Sequence, residues 1–160
     1  MTTVTNDELH HIAQSASISV HTLLKWRQHR PEYLGLLRLG IHQSLQMPVD
    51  WEQQWTTGTT LDVRSLATTL GLPDPLAINV LPVPSSTVRS WMKDPTRHRR
   101  LAMMLLGLQQ KTLEQCQSAL GRKTHLPTIL HQAAMGTADL VQLYLSKPDA
   151  LIRLLRLAAT

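Results

Sequence analysis

Apolar residues recur along this chain with a helical period almost from end to end. Leu9, Ile12, Ala13 and Ala16 share one side of "ELHHIAQSA", which Asn6 or Asp7 is placed to cap. Ser17-Ile18-Ser19 interrupts the pattern, and Ser19 caps a second helix, "VHTLLKWRQ", with Leu23 and Trp26 inward. Pro31 marks a break before "PEYLGLLRLGIHQSL". "MPVDWEQQW" restarts after Pro48 with Asp50 as cap, and Trp51 and Trp55, four apart, form a core pair. The Thr/Gly run at 56–60 reads as a linker. "LDVRSLATTLG" is a further helix, ended by Gly71 and Pro73.

Asp74-Pro75 starts a short helix, "PLAINVL", stopped by Pro82-Val83-Pro84. Ser85 or Ser86 caps "STVRSWMKD", which Asp94-Pro95 ends. The longest helical run follows, "TRHRRLAMMLLGLQQKTLEQCQSALG", closed by Gly121. Pro127 opens "TILHQAAM", Gly136-Thr137 breaks it, and "ADLVQLYLS" and "DALIRLLRLAA" complete the chain. Val and Ile never alternate over a useful length, so no strand is expected and the predicted fold is all-α.

The helices repeat as a cassette: a helix with an aromatic near its end, a polar or proline-containing break, then a leucine-rich helix. The copies are "HTLLKWRQHRPEYLGLLRLG", "STVRSWMKDPTRHRRLAMMLLGL" and a weaker "ADLVQLYLSKPDALIRLLRLA". Trp26, Trp91 and Tyr144 correspond. This divides the chain into units at 1–56, 61–121 and 125–160.

"IAQSASISVHTLLKWRQ" resembles the helix-turn-helix of Cro- and phage-repressor-like bacterial regulators through Ala13, Ser17, Ile18, Ser19, Leu23 and Trp26. The second copy matches through Val83, Val88 and Trp91, but Pro82 stands for the usual turn glycine and Pro84 for the capping serine. The third matches only at Thr137, Val141 and Tyr144. The resemblance implies repeated helix-turn-helix units that bind double-stranded DNA in the major groove. It also implies a homodimer acting as a transcriptional regulator in a bacterial, phage or plasmid setting.

A recognition helix turns one face to its own core and the opposite face to the groove. Opposite Val88 and Trp91 lie Ser86, Arg89, Ser90 and Lys93: a guanine-reading type, two hydroxyls and a phosphate-reaching lysine. Arg97, Arg99 and Arg100 follow at a helix start, where cations oppose the helix dipole and a nearby phosphate would offset that cost. The equivalent face of the first copy carries His21, Leu24, Lys25 and Gln28, flanked by Arg27 and Arg30, and ranks second as a reader. The third carries Asp139, Gln142, Leu143 and Ser146. An aspartate repels phosphate, so this copy is expected to pack or to form a dimer seam.

Charge agrees with a polyanionic partner: 16 Lys and Arg against 11 Asp and Glu, a formal net charge of +5. The single Cys116 allows no internal disulfide, the start lacks a signal-peptide pattern, and no apolar run is long enough to cross a membrane. A cytoplasmic protein is the expectation. The 8 histidines share no helical ligand spacing, the glycines form no phosphate loop, and no carboxylate pair stands out. No enzyme, cofactor or metal is therefore expected. A rival reading is a helical interaction module, an assembly subunit or an inhibitor docking on another protein, supported by Leu24 and the leucine-rich third copy. A third is a basic protein that follows RNA or single strands, which needs exposed aromatics where the chain has only 4 Trp and 2 Tyr.

Overall fold

A computed structural model describes residues 4–121 and 124–159. The helices, in order, are α1 (Asn6–Ala16), α2 (Val20–His29), α3 (Pro31–Ser44), α4 (Val63–Thr69), α5 (Ser85–Met92), α6 (His98–Leu120), α7 (Leu126–Gln132), α8 (Thr137–Ser146) and α9 (Pro148–Ala158). Most of the described chain is helical. Among the described residues no helix is long and apolar enough to cross a membrane.

Local chemistry sets the first three boundaries. Thr5, one residue before the expected caps, accepts a bond from the Glu8 amide at 3.2 Å and starts α1. Ser17 ends it in the left-handed region at φ 55°, and the Ile18 amide reaches back to the Ala13 carbonyl at 3.0 Å. Ile18 is thereby turned into the core. Ser19 then accepts from the Thr22 amide at 3.2 Å and opens α2. Arg30 alone separates α2 from α3, with Pro31 at the first turn, where its missing N–H costs nothing.

Four expectations need correction. The 56–60 run is not a linker but an antiparallel hairpin, β1 (Thr56–Thr57) with β2 (Thr60–Leu61). Gly58, at φ 61°, takes its turn conformation without a Cβ penalty. "WEQQW" forms only a 3-10 turn over Trp51–Trp55, after Asp50, which makes no side-chain cap. "PLAINVL" is not a helix: it closes one turn at Asp74, whose carbonyl accepts from Ala77 at 3.1 Å and Ile78 at 3.0 Å. Pro82 and Pro84 remove donors and push their predecessors towards extended backbone, so the turn does not continue as a helix. For the same reason Pro84, and neither serine, precedes α5, and no side chain caps it.

The first two sequence units share one apolar core, which runs from Leu9 through Trp51 and Leu61 to Val88 and Leu108. Every residue from Leu101 to Leu108 is buried, so this half of α6 is enclosed on all sides. Farther along α6, Cys116 joins a second cluster with Leu126, Ile129, Leu130, Leu140, Leu151 and Leu155. α6 thus carries both cores. Val141 of α8 reaches back into the larger one, and Gly71, at φ 76°, lies against the backbone of Ala138.

The main contact is the crossing of α3 and α6. A Cβ on Gly40 would overlap the Met103 carbonyl, and a Cβ on Gly107 would overlap the Leu36 carbonyl. Each helix contributes a glycine four residues after the carbonyl that receives the other helix's glycine. The contact is therefore reciprocal, as in an isologous interface.

Candidate nucleic-acid interface

α5 separates its faces as the spacing predicts. Val88 and Trp91 are buried, while Ser86, Arg89, Ser90 and Lys93 are exposed. The helix has no acidic residue to offset Arg89. Beyond it, Asp94 organises the corner. Its carboxylate accepts from the Thr96 hydroxyl at 2.7 Å and the Thr96 amide at 3.0 Å, and pairs with Arg97 at 3.3 Å. The two Thr96 bonds, then the nearby Arg97 and Arg100, hold the Asp94 carboxyl below its ordinary range. Buried His98 closes the turn by donating from Nε2 to the Met92 carbonyl at 2.6 Å.

The three arginines after α5 have different surroundings. Arg97 is exposed and paired with Asp94. Arg99 is half-buried and engages protein groups. It donates to the Ser15 carbonyl in the last turn of α1 and pairs with Glu52, which is nearly buried. Arg100 lies over two indoles, 5.1 Å from the Trp91 ring centre and 5.6 Å from that of Trp26. The two rings are themselves 6.0 Å apart. Desolvation, then the proximity of Arg97, lowers the Arg100 pKa, and Asp94 opposes the shift. Its Nε has no hydrogen-bond partner among the described residues. Arg99 and Arg100 therefore join the first unit to the second. The expected grip of both on a DNA backbone would have to be made alongside these intramolecular contacts.

In the first unit, His21, Lys25 and Gln28 are exposed on α2, as is Leu24. α2 has no acidic residue. Arg27 is half-buried, donating to Asn6 at 3.1 Å and to the Val4 carbonyl at 3.4 Å, so it ties α2 to the start of α1. Trp26 is half-buried and meets Tyr33 edge-on at 5.2 Å. In the third unit Asp139 accepts from the Gly136 amide at 3.2 Å and so serves the start of its own helix. Leu140 and Val141 are buried and Tyr144 is half-buried against the smaller core, so the α8 anchors pack.

Sequence reasoning missed the Arg99–Glu52 pair and the Trp26–Arg100–Trp91 stack. One signal for the stack exists. Aligning Gly40 with Gly107 sets Tyr33 against Arg100, so each occupies the position next to its own unit's tryptophan. Among the described residues no three His, Cys, Asp or Glu side chains converge as metal ligands. No family model matches the chain, and no curated protein or solved structure matches it.

Proposed function

We propose that this protein binds duplex DNA, with α5, which lacks the preceding helix of a helix-turn-helix, as the principal reading helix and the α1–α2 helix-turn-helix as the second, and regulates transcription in a bacterial or phage-infected cytoplasm. The observation that carries this reading is the division of α5. Val88 and Trp91 are held in the core, and Ser86, Arg89, Ser90 and Lys93 are free to meet base edges and phosphates. Lys25, His21 and Gln28 on α2 come second, and exposed Arg97 is suited to a phosphate.

The spacing of the two helices supports a homodimer. α2 and α5 have 10 and 8 residues, and their tryptophans are 6.0 Å apart. Given a helix radius of about 5–6 Å and a rise of about 1.5 Å per residue, their centres lie no more than about 25 Å apart. Successive major-groove segments on one side of a duplex are about 34–36 Å apart. One chain therefore serves one half-site, and a second copy supplies the other. The rival reading, a protein-docking module, is favoured by the exposure of Leu24 and, in the leucine-rich third unit, of Leu143, Leu154 and Leu157.

The test is equilibrium binding to duplex from the protein's own promoter and to random duplex across a salt series. Preference for the promoter duplex that persists as salt rises is expected. Failure to bind either duplex at low salt overturns the proposal.

A further inference from the structure

A groove of about 830 Å³ lies between α1 and α3, and no residue of α5 lines it. That volume falls within the range of small-molecule sites. Buried Ile12, Leu34 and Ile41 line it, and Leu45 stands at its edge, 75% exposed.

Gly35, exposed on α3, is part of its lining. It sits inside α3, where glycine is the poorest helix former apart from proline. Unlike Gly40, it has no packing reason to be glycine: a Cβ there would meet nothing within 4 Å. A side chain at this position would project into open space beside the groove lining.

The rim carries two acids, Asp7 and Glu8, and two arginines, Arg27 and Arg38. The formal charges of these four cancel. An ion would gain from one pair what it loses to the other. Glu8 and Arg38 also pair across the two walls at 3.1 Å. A docked helix lying along the groove would have to break that pair. A small molecule seated at Gly35 would lie beside it.

We propose that the α1/α3 groove binds an uncharged apolar small molecule, seated over Gly35. The site stands independently of the DNA-binding reading, and its test uses no DNA. The full chain is titrated with N-phenylnaphthylamine, a neutral probe that brightens in apolar surroundings. Its anionic relative, anilinonaphthalene sulfonate, is titrated in parallel. Wild type is expected to bind the neutral probe saturably at one site, at least tenfold more tightly than the sulfonate. Gly35→Leu fills the groove and is expected to weaken the neutral probe at least tenfold without lowering the thermal midpoint. Should Gly35→Leu fail to fold, Gly35→Ala is expected to weaken it at least threefold. Absence of saturable binding, equal affinity for the sulfonate, or a folded Gly35 variant that binds like wild type would overturn the proposal.

Discussion

Gly40 and Gly107 close the α3–α6 crossing from both sides, each set against the backbone of the opposite helix. No side chain fits at either position without moving a carbonyl. This contact, more than any boundary visible in the chain, makes one body of the first two units. It also brings Trp26 and Trp91 together, with Arg100 lying over both rings.

Gly107→Ala is predicted to destabilise the protein by about 1–3 kcal/mol through overpacking, although alanine is the better helix former. Gly35→Ala, in open space on α3, is predicted to stabilise it by up to about 1 kcal/mol. Urea unfolding of the two variants checks both. Stabilisation by Gly107→Ala would contradict the close crossing.

Arg99 and Arg100 are predicted to affect stability, and Lys93 to affect DNA. Arg99→Ala leaves Glu52 unpaired at 7% exposure, and an uncompensated buried charge costs about 3 kcal/mol. Arg100→Ala removes packing and two ring contacts worth about 1–2 kcal/mol together. Lys93→Ala is expected to leave the thermal midpoint unchanged and to reduce the slope of log affinity against log salt by about 1. A lower salt slope in Arg100→Ala at unchanged stability would place that residue on the DNA face.

Acid is predicted to weaken two caps. Asp62, which precedes α4 and accepts from the Ser65 amide at 3.1 Å, and Asp94 both have carboxyls held below the ordinary 3.8 in the folded protein. For Asp62 the cause is first the Ser65 amide and then its hydroxyl; for Asp94 it is first the Thr96 hydroxyl and then its amide. A depressed folded pKa contributes stability that is present above the unfolded value and lost as pH falls through the folded one. Both contributions therefore disappear below pH 3.8, in the acid limb of a stability curve. Asp62→Asn should flatten part of that limb, and an unchanged limb would remove Asp62 from the account.

Cys116 is predicted to be unreactive while the protein is folded. It is fully buried, and desolvation pushes its thiol up to about 11. Little thiolate exists at neutral pH, and reagents cannot reach it. Alkylation should follow global unfolding in urea. Rapid modification in native buffer would contradict the packing of the smaller core.

Much of the scaffold is legible in the chain because its signals are local. Ser17-Ile18-Ser19 spells the turn between α1 and α2, since a left-handed residue, an apolar plug and a cap are each set by one side chain. The faces of α5 follow from Val88 and Trp91 being three apart. The hairpin escapes notice because two-residue strands cannot show alternation. "PLAINVL" misleads because apolar content does not reveal what the following prolines do to so short a segment. Arg99 is the clearest limit. Its partners, Ser15 and Glu52, lie 84 and 47 residues away, and no periodicity encodes that meeting. Gly35 and Gly40 look alike in sequence; only the packing shows that Gly40 admits a helix and Gly35 lines a groove.

The central claim concerns α5, and Arg89 tests it most directly. Wild type and Arg89→Ala should be compared for affinity to promoter duplex and to random duplex at matched salt, with thermal midpoints recorded alongside. Arg89 is exposed, so its removal should leave the midpoint unchanged. The account predicts a loss of about 1–3 kcal/mol of the preference for promoter over random duplex. A stable Arg89→Ala protein that keeps the full preference would contradict it.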